Sequence, residues 1–191
     1  MKIKSTVVTL LLVLSLGLGV FQGSVSDAAG ANRKAGKAFA TAVSKGKISI
    51  KGEVSYSIGD MDGDGVKDLL IDNGSAATVF AYKSGKVKKI LKYLPEYSLV
   101  YDNSKKVFWE CGEGDGSWRI ALKLDGGSLV EQYRYYSEYD ADSQIKYYYK
   151  EADKDAEEIT EDAYSEIGSH IVKFDKMINK AKLIKKLKKL S

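Results

Sequence analysis

The chain has 191 residues, 30 lysines and arginines against 26 acids, one cysteine and one histidine. A single cysteine excludes an internal disulfide, and roughly 160 residues beyond the leader are enough to bury one core without one. Near-balanced charge means that any electrostatic recognition has to be local.

Lys2 and Lys4 precede an uncharged stretch from Ser5 to Ser26, apolar from Val7 to Val20 and followed by small residues. That is the layout of a secretory signal peptide. Ser26-Asp27-Ala28 fits a small-x-small cleavage site, so residues 1–28 are expected to be removed, leaving one domain over 29–191. A retained membrane anchor is the rival, since the uncharged run is near spanning length, but its glycines and serines favour cleavage. No cysteine follows the apolar stretch to carry a lipid, so the expected location is secreted and extracellular.

Between Ala31 and Val43, Ala35, Phe39 and Ala42/Val43 recur at three- to four-residue spacing, with Asn32 as N-cap and Gly46 as stop. This predicts a first helix packed on a sheet. The period then changes to two. Glu53 to Ile58 alternates, and Leu69-Leu70-Ile71 is a short apolar run, so strands bracket what lies between them.

What lies between is Asp60-Met61-Asp62-Gly63-Asp64-Gly65-Val66-Lys67-Asp68. Four carboxylates this close repel one another unless a cation separates them. Calcium takes about 6–8 oxygens, and acids at loop positions 1, 3, 5 and 9 with the backbone carbonyl at 7 supply most of them. Those donors are Asp60, Asp62, Asp64, Asp68 and the carbonyl of Val66, and Gly65 at position 6 permits the sharp turn. Position 12, where an EF-hand places a bidentate Glu, is Ile71, so the loop is not an EF-hand.

Asp-x-Asp-x-Asp-Gly-x-x-Asp-Leu followed by a strand resembles the calcium loop of FG-GAP and VCBS repeats. The run from Tyr56 to Lys92, with Tyr82-Lys83-Ser84-Gly85-Lys86-Val87, is similar to small secreted proteins and lipoproteins of Gram-positive bacteria. The resemblance implies calcium on Asp60, Asp62, Asp64 and Asp68, and it implies no biochemical activity.

Further strands are expected around Thr78–Tyr82, Val87–Tyr93, Tyr97–Tyr101, Val107–Cys111, Trp118–Leu124, Leu129–Tyr136 and Ile145–Lys150. Short turns at Ser84-Gly85, Pro95, Asp102-Asn103-Ser104 and Asp125-Gly126-Gly127 join antiparallel neighbours. The expected class is α+β: an antiparallel meander of about eight strands, as a half-propeller, open barrel or sandwich, with a helix at each end. A full propeller is excluded by length and by the lack of an internal repeat. Cys111 alternates with Val107 and Trp109 and reads as a buried thiol; the one histidine, His170, sits far along the chain on a helix.

Glu110, Glu113 and Asp115 punctuate a glycine-rich loop that reads as a solvated turn, or as the acid and base of a polysaccharide hydrolase. Seven tyrosines from Tyr133 to Tyr149 read as cross-strand packing, or as a platform for a glycan or protein ligand. From 161 to 190 a long amphipathic helix is expected, started by Thr160 with Glu161 and Asp162 and striped by Ile167, Ile171, Phe174, Ile178, Ile184 and Leu187. Its lysines from Lys173 to Lys189 suit the helix dipole, and equally suit an anionic membrane or cell-wall polymer. Nucleic acid is not expected outside the cell. The sequence therefore points to a secreted, non-enzymatic, calcium-binding module, with the hydrolase and the surface-binding helix as alternatives.

Overall fold

A computed structural model describes residues 22–95, 98–113, 116–172 and 177–190. The first 21 residues, and with them most of the expected signal peptide, lie outside the described residues. Among the described residues, three helices and eleven strands form two antiparallel sheets. After α1 (Gln22–Ser44) come β1 (Glu53–Gly59), β2 (Asp68–Asp72), β3 (Ala77–Lys83) and β4 (Lys86–Tyr93). A second sheet follows, with β5 (Ser98–Asp102), β6 (Val107–Glu113), β7 (Ser117–Asp125), β8 (Ser128–Tyr139), β9 (Ile145–Glu151) and β10 (Glu157–Ile159). The chain ends with α2 (Glu161–Val172), β11 (Met177–Asn179) and α3 (Lys180–Lys188).

Alternation along the strands sorts the side chains into three cores, and these set four layers. Val54, Leu69 and Ile71 face outward from the first sheet onto Phe39 and Val43 of α1 and Leu183 and Leu187 of α3. Leu70, Val79 and Leu91 on its other side meet Leu99, Tyr101, Phe108 and Leu122 of the second sheet. The outer side of the second sheet, with Trp109 and Ala121, takes Ile167 and Ile171 of α2. The order is helix pair, sheet, sheet, helix, an α+β sandwich with no closed barrel. No helix among the described residues is long and apolar enough to cross a membrane.

Several expectations need correction. The meander is two meanders, parted after β4 near Pro95, where the following strand crosses to the other sheet. At that crossing β5 is an edge strand whose free N–H groups need acceptors. Leu99 N–H donates to Asp72 Oδ2 at 3.0 Å and Tyr101 N–H to Ser57 Oγ at 3.3 Å, so two buried polar side chains of the first sheet stitch the second to it.

The single helix over 161–190 is interrupted by β11, which pairs with β1 through Val54↔Ile178. Asn179 stops the extended run and caps α3, its Oδ1 accepting from Lys182 N–H at 3.0 Å. Phe174, Lys173 and Lys176 lie outside the described residues. Asn32 is interior to α1 rather than its cap. Gly36 lets the two helices touch, since a Cβ there would sit 2.8 Å from the Leu187 carbonyl oxygen. Cys111 is half-buried at the margin of the Trp109 core, not fully enclosed.

Candidate metal centre

The loop between β1 and β2 carries the acids. Asp60, Asp62 and Asp68 each place one carboxylate oxygen within 4.8 Å of the others. How the loop achieves this is visible in its hydrogen bonds, because each aspartate divides its two oxygens between two tasks. Asp60 Oδ2 accepts from Gly65 N–H at 3.1 Å, and Asp62 Oδ1 accepts from Asp64 N–H at 3.2 Å. Asp68 Oδ2 accepts from Met61 N–H at 2.9 Å and Asp62 N–H at 3.3 Å. One oxygen of each thus folds the loop around the cluster, and the other takes no hydrogen bond from the loop. Gly65, at φ +82°, takes the left-handed turn that an ordinary residue would resist.

Of these remaining oxygens, Asp60 Oδ1 and Asp68 Oδ1 are buried with no hydrogen-bond partner. Asp62 Oδ2 is shielded as well, and meets the ammonium of Lys83 at 2.8 Å. Asp68 is fully shielded from solvent. Burial drives its carboxyl up, Asp62 and Asp64 add to that, and the N–H groups of Met61 and Asp62 only partly offset it, leaving it raised to about 7. A buried carboxylate that lacks a donor is costly in its charged form. A hard cation would supply what the chain does not.

The donor set fits such an ion. It is all oxygen, and oxygens up to 4.8 Å apart can share one centre when each bond is about 2.4 Å long, the range calcium uses. Asp64 is not in the group. It is exposed, its Oδ1 accepts from Val66 N–H at 2.8 Å, and its Oδ2 stands 3.8 Å from Lys83 Nζ. Val66 lies between Asp64 and Asp68 with its side chain half-buried against the first core.

Three residues to which sequence reasoning gave no part in the site hold the loop in place, and a fourth meets its carboxylates. Asn32 of α1 accepts from Lys67 N–H at 2.7 Å. The Tyr101 hydroxyl donates to the Asp60 carbonyl at 2.7 Å, and Asn103 Nδ2 donates to the Ile58 carbonyl at 3.0 Å. Burial, then the nearby Asp60, Asp68 and Asp102, push the Tyr101 phenol up to about 12, so it stays a donor. Lys83 is the fourth. Lys83 falls within the Tyr82–Val87 run that carries the family resemblance, but no local pattern marks the other three, whose bonds span 35 or more positions.

The other sequence-flagged acids are placed differently. Glu110 is buried on the face between the sheets, its Oε2 accepting from the Tyr93 hydroxyl at 2.6 Å. Glu113, three positions on along the same strand, is exposed and points to the opposite side, and Asp115 lies outside the described residues. Beside Glu110 is an open groove of about 830 Å³ whose walls include Trp118, Arg134 and Tyr136. Arg134 is held there by Glu131, Nε to Oε1 at 2.7 Å. The tyrosines divide: Tyr136 stacks on Tyr148 on the groove side, and Tyr133, Tyr135 and Tyr149 cluster with Trp109 or one another beneath α2.

No family profile, characterised protein or solved structure shows a significant match to this chain.

Proposed function

We propose that the protein is a secreted, non-enzymatic module in which calcium, held by Asp60, Asp62 and Asp68 with Asp64 and the Val66 carbonyl as further oxygen donors, fixes the β1–β2 loop. The observation that carries this reading is the division of labour in the three carboxylates: one oxygen of each is spent on a loop N–H, and Asp60 Oδ1 and the fully buried Asp68 Oδ1 have no donor. The ion serves the fold. It neutralises the cluster, sets the register of β1 against β2, and steadies the contacts to Tyr101 and Asn103 that join the two sheets. Extracellular sites of this kind bind at about 10⁻⁴–10⁻³ M, a range that tolerates Ile71 at the twelfth position.

Calorimetric titration of the purified protein with calcium tests the assignment. One ion per chain is expected, lost in Asp60→Ala with Asp62→Ala. Absence of saturable binding up to about 10 mM, a tenfold excess over the weak end of that range, would refute it.

A second reading rests on the groove beside Glu110, where a shielded carboxylate and a pinned guanidinium meet the rings of Trp118 and Tyr136. Such a mixture suits a polysaccharide, stacked on the rings and hydrogen-bonded at its hydroxyls. Trp118 emission that shifts with neutral oligosaccharides would support this, and release of reducing ends lost in Glu110→Gln would make the groove a hydrolase site. An unchanged emission spectrum would remove it.

A further inference from the structure

The two sheets of this molecule differ sharply in charge. Residues 22–95 and 177–190, which build the first sheet with α1 and α3, hold 18 lysines and arginines against 7 acids. Residues 98–172, which build the second sheet with α2, hold 8 against 17. The near-neutral total therefore conceals a strongly basic half.

Within that half the lysines converge. Lys34, Lys37 and Lys45 run along α1, and with Lys47 and Lys86 they line a groove of about 590 Å³ between the helix and the β3–β4 turn. On the other flank of α1, Lys37 and Lys45 reappear with Lys188 in a second groove of about 350 Å³. Lys37 and Lys45 therefore stand on the ridge between two basic channels.

The apolar stripe of the basic C-terminal helix is not available to a bilayer. Leu183 and Leu187 are completely shielded, packed on Phe39 and Val43. A helix that inserts into a membrane needs that face free. The fully exposed side of the helix is mostly charge, with Lys182, Lys185, Lys186 and Lys189 all exposed. Ammonium groups spaced along a groove suit a chain of closely spaced phosphates, which lysine binds as a point charge without the planar fork of a guanidinium. The one ring lining the channel, Tyr82, is half-buried against the first core, so a base-bearing strand finds no stacking platform.

We infer that the lysine-lined channels flanking α1 bind a linear, flexible, phosphate-rich polyanion such as a polyphosphodiester of the cell surface, with Lys34, Lys37, Lys45, Lys47 and Lys86 as its contacts. The assignment is independent of the metal centre.

The test is binding of long-chain inorganic polyphosphate to the purified protein, followed across a salt series. About five phosphate contacts at the slope found for flexible strands weaken binding about 130-fold between about 50 and 200 mM salt. Lys37→Gln with Lys45→Gln should reduce that slope by about 1.4, two contacts' worth. Lys105→Gln with Lys123→Gln, two exposed lysines of the acidic half, should leave it unchanged. Should the first pair fail to fold, Lys47→Gln with Lys86→Gln reads the same channel. Equal losses from both lysine pairs would overturn the proposal, because net charge alone would then account for binding. So would a preference for phosphatidylglycerol vesicles, or tighter binding of single-stranded DNA than of polyphosphate at equal charge.

Discussion

Asp68 and Asp102 are both completely shielded from solvent, yet the chain meets their needs in opposite ways. Around Asp102 it brings its own donors. Oδ1 accepts from Ser104 N–H at 2.8 Å, Ser104 Oγ at 2.6 Å and Lys105 N–H at 3.2 Å, while Oδ2 faces His170 Nε2 at 2.7 Å and Trp109 Nε1 at 3.4 Å. Burial raises this carboxyl, but the bonds from Ser104, His170 and Lys105 outweigh it and hold it at about 2. Around Asp68 the donors number two, both on one oxygen, and the carboxyl rises to about 7. The difference separates a carboxylate whose donors the chain supplies from one left short of them: the turn at 102–105 is self-sufficient, and the loop at 60–68 leaves room for the cation proposed above.

Breaking the self-sufficient side should have the largest effect. Asp102→Ala strands the indole N–H of Trp109 and takes the buried carboxylate away from His170, and should cost about 3 kcal/mol. Urea denaturation at pH 7 should find the same loss with calcium or with chelator, and a loss seen in only one of these would contradict the separation drawn above.

The added side is next. For an extracellular-type site, about 10 mM calcium should stabilise the protein by about 1.4–2.7 kcal/mol. In a domain of this size that raises the melting temperature by about 3–10 °C. A chelator should reverse the rise, and identical melts in the two buffers would show that the loop needs no ion.

The two sides should also separate in acid. The folded pKa of Asp102, about 2, lies below the ordinary 3.8, so the stability it contributes is whole above pH about 4 and is lost as pH falls toward about 2. The gap in stability between the parent and Asp102→Asn should therefore shrink by about 2 kcal/mol across that window. A gap that widens on acidification would reverse the sign assigned here.

The smallest effect concerns Lys83, whose half-exposed ammonium competes for Asp62. Partly exposed pairs contribute up to about 1 kcal/mol, so Lys83→Met should tighten calcium binding about two- to fivefold. Weaker binding in the calorimeter would make Lys83 a supporting residue instead of a competitor.

The sequence reveals these two regions unequally. The loop 60–68 is legible because its donors are adjacent in the chain, and spacing alone shows three of the acids that meet. Asp64 departs from the pattern: it is exposed, its Oδ1 takes the N–H of Val66, and its Oδ2 stands 3.8 Å from Lys83. Asp102 reads as an ordinary turn residue, which its bonds to Ser104 and Lys105 make it, while its partner on α2 is a histidine 68 positions later.

The fold shows the same divide. Alternation exposes the longer strands, including Trp118, Ile120, Leu122 and Leu124 on one side of β7. It does not say that β4 and β5 belong to different sheets, a choice made by contacts between distant strands. β10 and β11 are three residues long, too short for any period, and form because an existing strand offers them an edge. Ile178 fits the helical stripe as well as it fits the strand, so pairing with Val54 decides it.

The most direct test of the central claim is a pair of melting curves for the parent protein and Asp68→Asn, each with chelator and with calcium at neutral pH. The account predicts that with chelator the Asn variant is at least as stable as the parent, because it removes a buried charge the chain cannot satisfy. It predicts that calcium then stabilises the parent alone and reverses the order. Equal destabilisation of the variant in both buffers, or an equal calcium response from both proteins, would contradict it.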